Sequence, residues 1–187
     1  MRPLPLLAAL AAFAAAPVLA QVKIGLMVSA TGPTTAIGIP QKNTGDLLPR
    51  RLGGTTIEYV QLDDGGDTTR AVQNAKRLVQ QDNVDALIGP STTPNALAIM
   101  DIIAEAGLPV MATVGTSAVV EPLDAKKRWV FKTTQNDDLI AAALIKHMTK
   151  AGVKTVGFIG FNDPYGENWL KVFTPLAEKA GMKLTAV

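Results

Sequence analysis

The residues best placed to do chemistry lie in two hydroxyl-rich loops, Pro90-Ser91-Thr92-Thr93-Pro94-Asn95 and Thr113-Val114-Gly115-Thr116-Ser117. Hydroxyls and free N–H groups at the mouth of a helix suit a carboxylate, because donors converge where backbone dipoles favour negative charge. Thr93 is the candidate contact in the first loop, although a Ser or Thr there also serves as an ordinary helix cap. Two such loops side by side favour a small polar ligand. Asp63, Asp64 and Asp67 offer hard oxygens, but their loop lacks the spaced ligands and distant glutamate of a helix-loop-helix calcium site. Turn formation and helix capping explain them better. His147, the one histidine, borders an apolar helical face, which leaves too few parts for a catalytic triad or a histidine-ligated metal. Asp137 and Asp138 are neighbours at a helix start, where their side chains diverge and capping is the better reading. Gly25 and Gly32 are misspaced for a phosphate loop, and Pro33 stands where its lysine belongs. The three spaced glycines of a dinucleotide site are also missing from the first strand-to-helix turn. No cofactor and no metal are expected.

The elements that must position these loops alternate. Val22 to Val28 reads as a buried strand, Ile57 to Leu62 as a second, and Ala71, Val72, Ala75, Leu78 and Val79 fall on one helical face behind a cap at Asp67 or Thr68. The stretch from Gly38 to Leu52 is ambiguous. Val84 to Ile88 is a strand, Asn95 to Glu105 a helix closed by Gly107, and Leu108 to Ala112 a further strand. Arg128 to Thr133 is extended, and Asp138 to Lys150 is helical, with Ile140, Leu144 and Ala151 on one side. Val153 to Ile159 and Lys183 to Val187 are strands around a helix from Gly166 to Ala180, in which Pro175 predicts a kink or a break. Such alternation predicts an α/β fold, a parallel sheet with helices on both faces. Open sheets of that kind bind ligands outside the carboxyl ends of their strands, where both hydroxyl-rich loops fall.

Composition narrows the class. The chain has 187 residues, with 18 Lys and Arg against 16 Asp and Glu, and no Cys. The first 20 residues hold 16 apolar side chains and one charge, Arg2. The apolar run from Leu6 to Ala16 with small residues at Val18 and Ala20 reads as a signal peptide cleaved after Ala20, and mature reasoning starts at Gln21. That run is shorter than the roughly 20 residues needed to span a bilayer. With Arg2 set aside, 17 basic residues face 16 acidic ones, so no electrostatic footprint for nucleic acid remains. Absence of cysteine excludes disulfides, thiolate catalysis and a cleavage-site lipid anchor, and suits an exported, periplasmic product.

In order and spacing, the Val22-Lys23-Ile24-Gly25 strand with Thr31-Gly32-Pro33, the Leu62-Asp63-Asp64 turn, Ile88-Gly89-Pro90 and Asn162-Asp163-Pro164-Tyr165-Gly166-Glu167 resemble the periplasmic leucine/isoleucine/valine-binding family. These are substrate-binding proteins of ABC transporters with the type I periplasmic binding fold. The resemblance implies two α/β lobes that close on a branched-chain amino acid or related small carboxylate or amide and present it to ABC permease subunits in the inner membrane. It implies no enzymatic activity. It also implies that Thr93 holds the ligand carboxylate, that Gly115, Thr116 and Ser117 surround carboxylate and ammonium, and that Tyr165 covers the ligand from the second lobe. Ile37 stands where relatives often place an aromatic wall. Residues 21–132 would form most of the first lobe and 133–187 the crossover and start of a second. Family members are about twice this length, so the chain is expected to be truncated and, alone, poorly stable through uncovered apolar faces. A module that senses ligand without transport shares these features. An exported hydrolase using Asp163 or Asp63 as nucleophile or base is the alternative from another class, and it lacks an identifiable acid–base partner.

Overall fold

The computed structural model describes residues 21–187, and the signal-peptide reading of residues 1–20 lies outside them. Six strands form one sheet in the order β2-β3-β1-β4-β5-β6. They are β1 (Gln21–Val28), β2 (Arg51–Leu52), β3 (Thr55–Asp63), β4 (Ala86–Ile88), β5 (Val110–Ala112) and β6 (Val130–Lys132). Only β2 runs antiparallel, paired with β3; β1 is parallel to both β3 and β4. The chain therefore steps from β1 to β3 on one side and returns to β4 on the other. That reversal leaves a crevice at the carboxyl ends of β1 and β4, the switch point at which doubly wound sheets bind ligands.

Helices α1 (Thr35–Leu47), α2 (Thr68–Gln80), α3 (Thr93–Ala98) and α4 (Met100–Ala106) connect these strands. The core joins Met27, Leu78, Leu87, Ile99, Ile103 and Val119. Asp67 caps α2 by accepting from Arg70 N–H, as its position predicts. Gly107 ends α4 in the left-handed conformation. The ambiguous stretch resolves into most of α1, which carries Pro40 internally, followed by β2. The single helix expected from Asn95 to Glu105 is instead two, α3 and α4, which meet at Ile99, a residue whose side chain is buried in the core.

A second, two-stranded sheet pairs β7 (Thr155–Gly157) with β8 (Lys183–Ala186) in parallel. Helices α5 (Asp137–Lys150) and α6 (Pro164–Lys179) pack with it around Ala141, Ile145, Phe173, Ala177 and Met182. The inward face of α5 is Asp137, Ala141 and Ile145, one residue displaced from the expected row, and Leu144 is 40% exposed. Pro175 neither breaks nor ends α6. It is exposed, so its ring points away from the packed face and the helix sacrifices one backbone bond.

Candidate functional site

Three loops that follow parallel strands meet one loop of the second unit. Thr34 and Ile37 come from the end of β1 and the start of α1, Ser91 to Pro94 follow β4, and Thr113 to Gly115 follow β5. Opposite them stand Phe161, Asp163 and Tyr165, and the pocket so enclosed measures about 190 Å³.

Its floor is held by a row of paired side chains. Ser29 N–H donates to Ser91 Oγ at 3.0 Å, Ser91 Oγ donates to Gln41 Oε1, and Gln41 Nε2 donates to Thr113 Oγ1 at 3.3 Å. Thr113 Oγ1 in turn donates to the Pro90 carbonyl at 2.8 Å. Every member has a defined donor or acceptor role, which fixes its rotamer. Behind this wall a second, apolar cavity of about 200 Å³ lies against α1, with Leu26, Val28, Leu48 and Ile88 in its lining together with Gln41 and Thr113.

Above the floor the hydroxyls are unpaired. Thr34, Thr92 and Thr93 each bury an Oγ1 that finds no partner in the protein. Thr92 occupies the cap position of α3 without a side-chain cap bond, and Thr93 begins the helix proper. Thr93 thus does not cap its helix. Buried polar atoms are normally bonded, and leaving one unpaired costs about 1 to 3 kcal/mol. A cluster of unpaired donors at a pocket can bind a polar ligand atom. The wall opposite is apolar and aromatic: Ile37 is 49% exposed, Phe161 is 59% exposed, and the Tyr165 ring meets Trp169 edge to face at 6.4 Å.

Tyr165 is positioned by the start of α6. Asp163 Oδ1 accepts from the N–H groups of Tyr165 at 2.9 Å and Gly166 at 3.0 Å. Gly166 lets this turn close on the Phe161 loop, since a Cβ there would lie 1.9 Å from the Phe161 carbonyl oxygen. The Asp163 oxygen that caps the helix is committed to structure. The lining contains two titratable side chains, Asp163 and Tyr165, and neither pairs with a second acid–base group there.

The pocket brings together Ile37, Thr93, Gly115 and Tyr165. It does not include Thr116 or Ser117: Thr116 is buried, its Oγ1 accepting from Ala118 N–H, and Ser117 opens a short 3-10 turn. Gln41, Thr34 and Phe161 escaped the sequence reading. Gln41 sits inside the ambiguous stretch, whereas Phe161, an aromatic in a turn just before Asn162-Asp163, left a usable signal. Of the three aspartates, Asp63 ends β3, Asp64 begins the turn after it and Asp67 caps α2. Asp64 accepts from Ser29 Oγ at 2.6 Å and Gly66 N–H at 2.9 Å. Burial alone would raise the Asp63 carboxyl, but bonds from the Thr31 hydroxyl and the Gly65 and Thr31 N–H groups outweigh it and hold it below the ordinary carboxylate range.

Beside the pocket, Lys132 Nζ donates to the Gly115 carbonyl at 2.5 Å and to Asn136 Oδ1 at 2.6 Å. Burial lowers this lysine against the pull of Asp137, Glu121 and Asp138. Burial likewise pushes the Asp137 carboxyl up, against the Asn168 bond and the Lys132 charge.

A doubly wound sheet with a pocket of hydroxyls and apolar side chains at its switch point, roofed by an aromatic from a second α/β unit, is the architecture of the type I periplasmic binding fold. The chain belongs to the periplasmic binding protein family, whose profile matches residues 21–187. It is 28% identical over 173 residues to the Leu/Ile/Val-binding protein BraC3 of Rhizobium johnstonii, covering 87% of this chain and 46% of BraC3. An extracellular ligand-binding receptor from Rhodopseudomonas palustris HaA2 is 44% identical with a TM-score of 0.86, covering 90% of this chain and 47% of the receptor. A solute-binding protein of an R. palustris ABC transporter, solved with 4-hydroxybenzoate, shares the fold at 23% identity and a TM-score of 0.79, over 89% of this chain and 46% of its own. The chain spans about half the length of these relatives. Among the described residues no helix is long and apolar enough to cross a membrane.

Proposed function

We propose that the chain forms the ligand-gripping part of a periplasmic receptor, exported by residues 1–20 and cleaved after Ala20, that serves an ABC transporter. Residues 21–132 supply the first lobe, and 133–187 the crossover and the start of the second. The receptor takes up a branched-chain amino acid or a related small carboxylate or amide and delivers it to permease subunits in the inner membrane, without catalysing a reaction. The observation that carries this reading is that Thr92 and Thr93, each with a buried, unpaired hydroxyl, line one pocket together with Ile37, Phe161 and Tyr165. Carboxylate oxygens would pair with the hydroxyls while the body of the ligand lies against the apolar wall. Closure of the second unit would remove water and strengthen those bonds.

The test is mass spectrometry of solute released from the purified protein, followed by thermal-shift titration with L-leucine, L-isoleucine, L-valine and 4-hydroxybenzoate. Ligand at a hundredfold excess over Kd stabilises by about 2.7 kcal/mol, a readily measured rise in Tm. No released carboxylate or amide and no shift with any of the four would overturn the reading.

A further inference from the structure

We propose that Asp137 is a positioning residue that couples the two sides of the pocket, tying the Gly115 rim to the helix that carries Tyr165; the proposal rests on reading that pocket as the ligand site. Asp137 opens α5 immediately after the segment that joins the two sheets, and it is 2% exposed. Its Oδ2 accepts from Asn168 Nδ2 at 2.7 Å. Asn168 is three residues after Tyr165 in α6, so the bond fixes the turn that presents the ring. Its Oδ1 has no partner in the protein. A Cβ on Gly115 would come within 2.3 Å of that oxygen, so the carboxylate lies directly against the pocket rim.

The Gly115 carbonyl is held by Lys132 Nζ. Thr134 Oγ1 adds a bond to the Val114 carbonyl. The rim peptide therefore meets an ammonium on β6 and a carboxylate on α5, and the carboxylate alone reaches α6. A buried carboxylate with one donor is a costly way to fill space, and an apolar residue would serve a purely structural role better. What the carboxylate adds is a directional bond to α6 from a group that packs against the rim. The charged groups acting on it are Lys132 from β6 and Asp138 from α5, with the neutral Asn168 from α6.

The test compares Asp137→Ala, Asn168→Ala and the exchanged pair D137N/N168D with the wild-type chain, at concentrations where it is monomeric. Amide hydrogen exchange is read at Val120 and Glu121, which bond back to Ser117 after the rim, and at Glu167 in the first turn of α6. Either alanine variant is expected to speed exchange at both places by about tenfold or more, with α2 unchanged, and the exchanged pair to restore it to within about threefold. Acceleration spread evenly over α2, acceleration on one side only, or failure of the exchanged pair to restore it overturns the coupling. Calorimetry with L-leucine and 4-hydroxybenzoate forms a second arm, in which Asp137→Ala is expected to weaken whichever probe binds by about tenfold. If the wild type binds neither probe, the ligand reading fails for those probes while the exchange arm still decides the coupling.

Discussion

Replacing Thr93 by valine separates a binding hydroxyl from a structural one. The substitution keeps the branched shape and deletes only Oγ1, which is buried and has no partner in the protein. In the unliganded protein there is no hydrogen bond to lose. The variant even removes the penalty of an unpaired buried hydroxyl, so stability should hold or rise by up to about 1 kcal/mol. Binding should move the other way. A ligand carboxylate deprived of that donor in a closed pocket loses about 1 to 3 kcal/mol, or roughly 5- to 150-fold in Kd. Chemical denaturation gives the first quantity and isothermal titration with L-leucine or 4-hydroxybenzoate the second; Thr93→Ser, which keeps the hydroxyl, should retain most of the affinity. A loss of stability above about 1 kcal/mol would mean that the hydroxyl holds the fold together. Unchanged affinity would remove Thr93 from the site.

Four further outcomes are expected. Gly115→Ala should destabilise by about 1 to 3 kcal/mol in urea unfolding, because its Cβ collides with Asp137, and the cost should shrink when Asp137 is already alanine. Asp163→Ala removes the acceptor of two N–H groups at the start of α6 and should cost about 1 to 2 kcal/mol, whereas Asp163→Asn, still a good cap, should cost much less. Asp63 and Asp137 should act on pH dependence with opposite signs. Asp63 is held below its unfolded value, so its stabilisation is complete above that value and lost as pH falls through the lower folded one; Asp63→Asn should flatten that acid limb. Asp137 is held above its unfolded value, so its cost is present at neutral pH and relieved as pH falls through the raised value. Asp137→Asn should therefore gain stability relative to wild type as pH rises above the ordinary aspartate range, and a flat difference would refute the burial assignment. Finally, light scattering should show self-association of residues 21–187 at high concentration, reduced by Ile159→Thr, since Ile159 is 99% exposed.

Strand and helix alternation was legible because parallel strands buried on both faces read as apolar runs and α2 keeps strict helical spacing. Caps at Asp67 and Gly107 were legible because each performs a local task that few residue types can do. Helix α1 was not, since it contains Gly38, Pro40 and Gly45. Its packing is made by backbone: a Cβ at Gly38 would lie 1.9 Å from the Ser29 carbonyl oxygen, a contact to which periodicity is blind. The face of α5 was misplaced for a related reason. A pattern of apolar residues cannot nominate Asp137 as an inward position, yet Asp137 begins the buried row that continues through Ala141 and Ile145. Both hydroxyl loops were legible as pocket edges, whereas the partner of Ser91 and Thr113, Gln41, depends on a helix that the sequence leaves ambiguous.

The row Ser91–Gln41–Thr113 separates two chambers of nearly equal size, one apolar and one of mixed lining in which threonine hydroxyls share the wall with Ile37, Phe161 and Tyr165. A single amide side chain forms the middle of that partition. Shortening it to alanine would remove the one side chain that bridges Ser91 to Thr113. The partition between the two chambers thus rests on side chains alone, and no strand of the sheet takes part in it.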